Sequence, residues 1–361
     1  MNAHTTDPEA RSPKKLKYNE AQSFVYAESC FLLNSDPGCQ HHGNTVESFP
    51  YNPIKLGEFS LTKERQFANE ATIPTVKDDV KLPINLNKGF EDWSDPSEIP
   101  TLNVLFKWIC DNNFFTSNVN LLTYRGLLKK IAMTKYDVYK NHWCVRLSKL
   151  YSTVIMDEIE TEEQKRKRQS ESKQQKRFQY YGHKFEKEIL HFDNEPKESN
   201  IVVTSKIGQH RCLFAAEIDG KDKIGNLVEI KTHRTMLTDH HKQAFKRSKL
   251  LNTYLQCYIA GISQTCFGFR DQRGYITQIR NYSLNEIEER CLKDWNKDII
   301  MEFLCKILKW ALDQIENGKV YHLQYSGDDH IKLQQVENVD YLPDWFIDHT
   351  RRCHENEELN L

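Results

Sequence analysis

Polar and apolar positions divide this 361-residue chain into stretches of distinct character. Residues 1–20 mix Asp, Glu, Ser, Pro and Lys with almost no large apolar side chains, so they cannot offset the entropy of ordering and are expected to form a tail. Over residues 24–100, Pro, Gly and Asn interrupt short apolar pieces such as Phe31-Leu32-Leu33, which predicts loops and brief strands wrapped on a core built elsewhere. Helical periodicity begins near Leu102 and recurs over residues 121–131. Over residues 156–177 charge replaces periodicity. Asp157, Glu158, Glu160, Glu162 and Glu163 precede Lys165, Arg166, Lys167 and Arg168, an order that complements a helix dipole and predicts a solvated charged helix. Residues 201–204, 212–219 and 227–232 are β-branched and apolar between Gly208, Gly220 and Gly225, as central strands are. Helical spacing returns over residues 250–262 and 299–315, the latter with Ile300, Phe303, Leu304, Ile307, Leu308 and Ala311 on one stripe. Residues 351–361 are polar and expected to fray. With no internal repeat, the mixture predicts a single α/β (α+β) domain over residues 21–350, built of mixed β-sheets flanked by helices.

The predicted strands carry acids at positions that matter. Side chains alternate across a strand, so Glu217 and Asp219 share one face, as do Glu229 and Lys231, with Val228 and Ile230 on the opposite face. Nine residues, Gly220 and Gly225 among them, separate Asp219 from Glu229, enough for a reversal that sets the acidic faces side by side on adjacent strands. Glu186, in a helix expected to begin near Tyr180, falls on or beside the apolar stripe of Ile189 and Leu190, where a carboxylate is costly unless paired or bound to a cation. Gly182 would let that helix approach the sheet closely. On the helix of residues 250–262 a polar ridge of Lys249, Asn252, Thr253 and Gln256 brings Gln256 within reach of the same place.

Hard cations such as Mg²⁺ or Mn²⁺ prefer carboxylate, carbonyl and water oxygens, and two of them about 4 Å apart clamp the attacking and leaving oxygens of a phosphoryl displacement. Lys231 would offset repulsion among the acids, orient the attacking water and neutralise charge on phosphorus. Glu-x-Lys following an acid also describes an exposed hairpin with a cross-strand ion pair. Against that reading stand the apolar residues flanking both pairs, and Glu186.

Global charge adds little: 50 Lys+Arg face 51 Asp+Glu, so any attraction for nucleic acid must come from local clustering. His240, His241, Lys242, Lys246, Arg247 and Lys249 form one such cluster, suited either to an RNA backbone or to a solvated loop. Ten cysteines are scattered singly, without zinc or disulfide spacing, which fits a reducing compartment. His41-His42 and His240-His241 lack the return spacing of a zinc site, and Trp108, Trp143, Trp295 and Trp310 fall among apolar neighbours as core residues do. No apolar run approaches the roughly twenty residues of a membrane span, so no membrane association is expected. Ser12-Pro13-Lys14-Lys15-Leu16-Lys17 is either a nuclear import signal or a solvated terminus.

An acid on one strand followed by Glu-x-Lys on the next resembles the core of the PD-(D/E)xK nucleases. More narrowly, Tyr124-Arg125-Gly126, Gly182-His183-Lys184-Phe185-Glu186, Glu217-Ile218-Asp219, Glu229-Ile230-Lys231 and the stretch from Lys249 to Gln256, in that order, resemble the DXO family of RNA decapping and quality-control nucleases over about residues 121–280. Gly268-Phe269-Arg270-Asp271 continues the likeness. His183, Tyr254 and Cys257 depart from the residues usual there, which bears on substrate preference. The resemblance implies a metal-dependent hydrolase acting on RNA 5′ ends. Its substrates would be incomplete or non-standard caps, NAD-type caps included, or triphosphorylated ends that lose pyrophosphate, with 5′-to-3′ exonuclease activity in some members. It further implies two Mg²⁺ or Mn²⁺ ions on Glu186, Asp219, Glu229 and the Ile230 carbonyl, with Glu217 acting directly or through a coordinated water. Lys231 and Gln256 would position phosphate and nucleophile, and Arg125 would hold the 5′ phosphate. Nuclear residence, also with a cytoplasmic pool, and a nuclear 5′-to-3′ exoribonuclease as partner follow from the same likeness. A DNA nuclease of the same superfamily and a non-catalytic partner of an exoribonuclease are the alternatives.

Overall fold

A computed structural model describes residues 28–33, 51–62, 65–93, 101–114, 116–193, 198–337 and 341–358; the expected tail over residues 1–20 and His41-His42 lie outside them. Two mixed sheets flanked by helices make up the fold. Ten strands of the larger sheet lie in the order Glu28–Leu32, His330–Val336, Val320–Tyr325, Trp143–Leu150, Thr153–Ile159, Leu121–Tyr124, His210–Ile218, Glu198–Ile207, Ile54–Leu61 and Phe67–Ala68. Seven of the smaller follow the order Ile84–Asn85, Tyr275–Ser283, Gln264–Arg270, Leu227–Arg234, Gly220–Lys221, Thr75–Val76 and Leu190–His191. Among the described residues no helix is long and apolar enough to cross a membrane.

Alternation along His210–Ile218 divides the core between the faces of the larger sheet. Cys212, Phe214, Ala216 and Ile218 join the main apolar cluster, which includes residues of the helices Arg125–Met133, Leu251–Ala260 and Lys297–Leu312. Leu213 and Ala215 join a second cluster with Leu105, Phe106 and Ile109 of the helix Asn103–Asp111. Phe185 and Ile189 of the helix Lys173–Ile189 pack with Val228, Ile230 and Cys266 of the smaller sheet. That helix seats where Gly268 leaves room: a Cβ there would stand 2.6 Å from the Phe185 ring. A Cβ at Gly182 would meet nothing within 4 Å, so the close approach expected there belongs to Gly268. Trp108, Trp143 and Trp295 are buried and Trp310 is partly buried, as core residues.

Several expected boundaries move. Leu121–Tyr124 is a strand rather than the start of a helix, lying parallel to His210–Ile218 and Thr153–Ile159. Leu121 and Leu122 feed opposite clusters, and such a doubly buried strand has the same continuous apolar signature as a buried helix. The charged stretch over residues 156–177 splits three ways. Asp157 and Glu158 finish the strand Thr153–Ile159, and two helices follow, Glu162–Gln169 and Lys173–Ile189. Thr161 and Ser172 each open a capping box: the hydroxyls accept from the N–H of Gln164 and Gln175 at 3.2 Å, and the two Gln side chains accept the cap N–H in return. Glu186 therefore rides late in a 17-residue helix, not in one beginning near Tyr180. At the C-terminus, the helix Asp344–Glu358 continues through residues expected to fray, held by Phe346 stacked on Phe106 at 4.0 Å and by His354 stacked on Tyr151 at 4.1 Å.

The reversal between Asp219 and Glu229 also differs from expectation. Glu217 closes a strand of the larger sheet, whereas Gly220–Lys221 and Leu227–Arg234 pair antiparallel in the smaller one, so the chain changes sheets at Asp219. Gly220 permits the crossing, because a Cβ there would lie 2.7 Å from Leu190 and 3.2 Å from the Pro74 carbonyl.

Candidate active site

Where the two sheets meet, Val228 and Ile230 turn into the apolar cluster beneath the helix Lys173–Ile189, which leaves Glu229 and Lys231 on the opposite face. Asp219, at the sheet crossing, accepts the Ile230 N–H at 2.7 Å and the Lys231 ammonium at 3.3 Å on the same oxygen, Oδ2. Lys231 Nζ also donates to the Ile230 carbonyl at 3.0 Å and to Glu229 Oε1. Three oxygens, one from the sheet crossing and two from the strand Leu227–Arg234, thus surround one cationic nitrogen.

Two helices reach Glu229, whose side chain is 0% exposed. Gln256, on Leu251–Ala260, donates its amide to Glu229 Oε1. Arg125, the first residue of Arg125–Met133, brings Nη1 to 3.6 Å from Glu229 Oε2, and neither of these buried atoms has a hydrogen-bond partner. One turn along each helix, Lys129 Nζ donates to Asn252 Oδ1 at 3.2 Å. Burial and the nearby Arg125 charge push Lys129 down to about 8.

Glu186 and Glu217 face this group without bonding to it. Burial, then the Asp219 charge, raises Glu186 well above the usual carboxylate range, with Lys231 opposing. Glu217 stands on the rim and is open to solvent on one side. Protein crowding, then the charges of Glu198 and Asp219, push it up to about 8. Asp219 rises to about 6 through burial and Glu229. Burial acts to raise Glu229 too, but Lys231 and Arg125 outweigh it and hold Glu229 below the usual range. Burial opposes the charge on Lys231, yet Asp219, Glu229 and Glu186 raise its pKa above that of a free lysine.

Among the described residues no three His, Cys, Asp or Glu side chains close on one point as metal ligands do. Lys231 takes the central place instead, as a monovalent stand-in between Asp219 Oδ2, Glu229 Oε1 and the Ile230 carbonyl. The donor set is entirely oxygen, which suits a hard divalent ion, and the orphaned Glu229 Oε2 has capacity to spare. The residues therefore fit such an ion.

A family model described as RAI1-like PD-(D/E)XK nuclease matches residues 51–347. The chain belongs to that family. This RAI1-like nuclease is 24% identical over 344 residues to the decapping and exoribonuclease protein of Homo sapiens, covering 83% of this chain and 86% of that one. It is 25% identical over 305 residues to decapping nuclease dom-3 of Caenorhabditis elegans, covering 74% and 75%. Its fold matches Rai1 of Scheffersomyces stipitis, solved in complex with (3′-NADP)⁺ and calcium ion, with TM-score 0.77, 18% identity and coverage of 92% and 100%. Rai1 of Candida albicans, solved in complex with pU5-Mn²⁺, matches with TM-score 0.77, 16% identity and coverage of 90% and 100%.

Three family departures have plain places in the RAI1-like nuclease. Tyr254 is buried with its hydroxyl on Glu288 at 2.8 Å, Cys257 is a buried thiol, and His183 lies 4.0 Å from Glu186. Of the basic run suited either to an RNA backbone or to a solvated loop, Lys242 pairs with Asp239 and Arg247 with Asp294, while His240 is exposed. Lys249 is the member turned toward the acids: burial and the Lys231 charge push it down to about 8. Two neighbours escaped the sequence reading. Lys129 could have been found from its four-residue spacing after Arg125, whereas Glu198, beside Asn200 that pairs with Glu217, has no local signal because the pairing defines it.

Proposed function

We propose that this protein is a metal-dependent RNA 5′-end hydrolase that removes incomplete or non-standard caps, NAD-type caps included, or pyrophosphate from triphosphorylated ends. The observation that carries the reading is the ring of Asp219, Glu229 and Ile230 oxygens around a cation, with an Arg125 nitrogen beside it that is ion-paired to Glu229 but makes no hydrogen bond. Family membership supports it, as do the names of the decapping relatives and the ligands of the Rai1 structures.

Asp219, Glu229, the Ile230 carbonyl and Glu186 would hold Mg²⁺ or Mn²⁺. Such ions supply Lewis acidity toward the phosphoryl oxygens and make water a competent nucleophile near neutral pH. The remaining roles belong to the chain. Arg125, pre-set by its helix and lacking a bond at Nη1, takes a phosphate oxygen through its planar fork. Lys231 meets negative charge developing at phosphorus, and the Gln256 amide, anchored on Glu229, fixes where the nucleophile approaches. Glu217, on the solvent side, accepts a hydrogen bond from the incoming water. Exonucleolytic cleavage of the resulting 5′-monophosphate RNA uses the same groups one linkage further on. Nuclear residence and association with a nuclear 5′-to-3′ exoribonuclease belong to this proposal on family likeness alone, and co-purification from nuclei tests them.

The direct test incubates 5′-labelled NAD-capped, unmethylated-capped and triphosphorylated RNAs, and DNA of matched sequence, with the protein in Mg²⁺ or Mn²⁺. Release of an intact cap fragment or pyrophosphate from RNA is expected. Equal cleavage of DNA, or internal cuts without 5′-end release, would overturn the reading.

A further inference from the structure

Val138 and Tyr139 stand 75% and 72% exposed, side by side in the connection between the helix Arg125–Met133 and the strand Trp143–Leu150. Single apolar residues at a surface are ordinary, but two large neighbours held out together make a patch that gains by being covered. Among the described residues the Tyr139 ring meets no other ring and its hydroxyl has no hydrogen-bond partner.

The backbone that carries them is fixed. The Asp137 carboxylate accepts the N–H of Tyr139 at 3.0 Å, the N–H of Asn141 at 2.8 Å and the Asn141 side-chain amide at 2.9 Å, while the Asp137 carbonyl accepts the Lys140 N–H at 3.2 Å. Lys140 takes a φ of 48°, in the left-handed region that a lysine seldom occupies, and these bonds hold it there. Trp143 and Thr134 close the base of the loop through an indole-to-hydroxyl bond of 3.0 Å. Gly327, just after the strand Val320–Tyr325, supports it from the side, where a Cβ would lie 3.3 Å from the Lys140 carbonyl. A loop already held in one conformation loses little freedom when a partner covers its side chains, which favours association.

The rim decides the partner. Lys140 and Asp329 face each other at 4.0 Å with side chains 60% and 78% exposed, and exposed Asp328 has no cation within ion-pair distance among the described residues. A rim of one sign would select a partner of the opposite sign and repel its own copy. An apolar centre with both signs around it is instead complementary to itself across a two-fold axis. The patch follows the far end of the nine-residue helix that begins at Arg125, about 13 Å of helix away, which keeps such a contact apart from the acids.

We propose that Val138 and Tyr139, with the charged rim of Lys140, Asp328 and Asp329, form the contact of a two-fold dimer of this chain. The apolar side chains of two copies pack together near the axis, and the ammonium of each copy meets the acids of the other. Two side chains and a thin rim fall short of the roughly 1,200 Å² of a standard interface, so the dimer is weak, with a dissociation constant on the order of 100 µM.

Sedimentation equilibrium of the full chain, over a concentration series reaching about ten times that constant, tests the contact. The parent should pass from monomer to dimer. Val138→Ser and Tyr139→Ser should each weaken association by about tenfold, with melting temperatures unchanged because both positions are exposed. Lys140→Glu should weaken it as well, and adding Asp328→Lys should restore it, since the swap rebuilds both signs at the rim. A parent that stays monomeric through the series would overturn the proposal, as would a dimer indifferent to Val138→Ser and Tyr139→Ser. A charge swap that restores nothing would overturn it too, and would point to a partner other than a second copy.

Discussion

Glu229 has its oxygens divided between two helices and a lysine, with no water-exposed surface to relieve them. Replacing it by alanine leaves Lys231 and Arg125 without their buried counter-charge, so Glu229→Ala should lower the unfolding free energy by about 3–5 kcal/mol in a urea titration. Glu229→Gln preserves the shape and should lose less stability. Both variants should lose at least about a hundredfold in RNA 5′-end hydrolysis, because a charged ligand and its orienting bonds go together. Parent-like activity in either, or parent-like stability in Glu229→Ala, would contradict this role. Asp219 carries a second expectation. Saturating Mn²⁺ should raise the melting temperature of the parent, as ligand binding to the folded state requires, and Asp219→Asn should lose most of that increment. An equal increment in both would place the ion elsewhere.

The elements that deliver these side chains are held by close approach and by caps. A methyl group at Gly268 would meet the Phe185 ring, so Gly268→Ala should cost about 1–3 kcal/mol. Gly182 sits inside the same helix with open space at its Cβ, so Gly182→Ala should stabilise by up to about 1 kcal/mol. Thermal melts of the two should shift in opposite directions; a shared direction would mean that the helix is not seated as described. The helices bearing Arg125 and Gln256 meet again through Lys129 and Asn252. A double-mutant cycle of Lys129→Met and Asn252→Leu should return a coupling of about 0.5–1.5 kcal/mol, with kcat reduced more than KM is raised. Much of this layer was legible: the strands carrying Glu217 and Glu229 and the helix carrying Gln256 follow from alternation and periodicity. Leu121–Tyr124 was not, because burial on both faces erases the alternation that marks a strand. Nor was the break at Ser172, where two capping boxes sit inside a run that charge alone made look continuous.

The molecule as a whole makes its site by changing sheets. Glu217 lies next to the end of a strand of the larger sheet, Asp219 marks the crossing, and Glu229 and Lys231 lie in a strand of the smaller sheet, which the chain enters at Gly220. The mixed β-sheets were expected, but alternation set the strands of Glu217 and Glu229 side by side where the chain changes sheets between them, since partner choice depends on residues as distant as Leu190 and Pro74 packing against Gly220. Residue identities alone exposed most of the acid set, because a carboxylate beside apolar positions needs an explanation wherever it falls. Glu198 and the paired Lys129 and Asn252 became visible only once strands and helices had neighbours. The architecture also brings a solvent-facing acid, a buried acid and an ammonium to one seam, which a single flat sheet would spread apart. Anomalous diffraction from crystals grown with Mn²⁺ tests this seam most directly. The expected result is manganese density within coordination distance of Asp219, Glu229 and the Ile230 carbonyl, with Lys231 displaced from between them. Manganese bound only elsewhere, with Lys231 still bridging those oxygens, would contradict it.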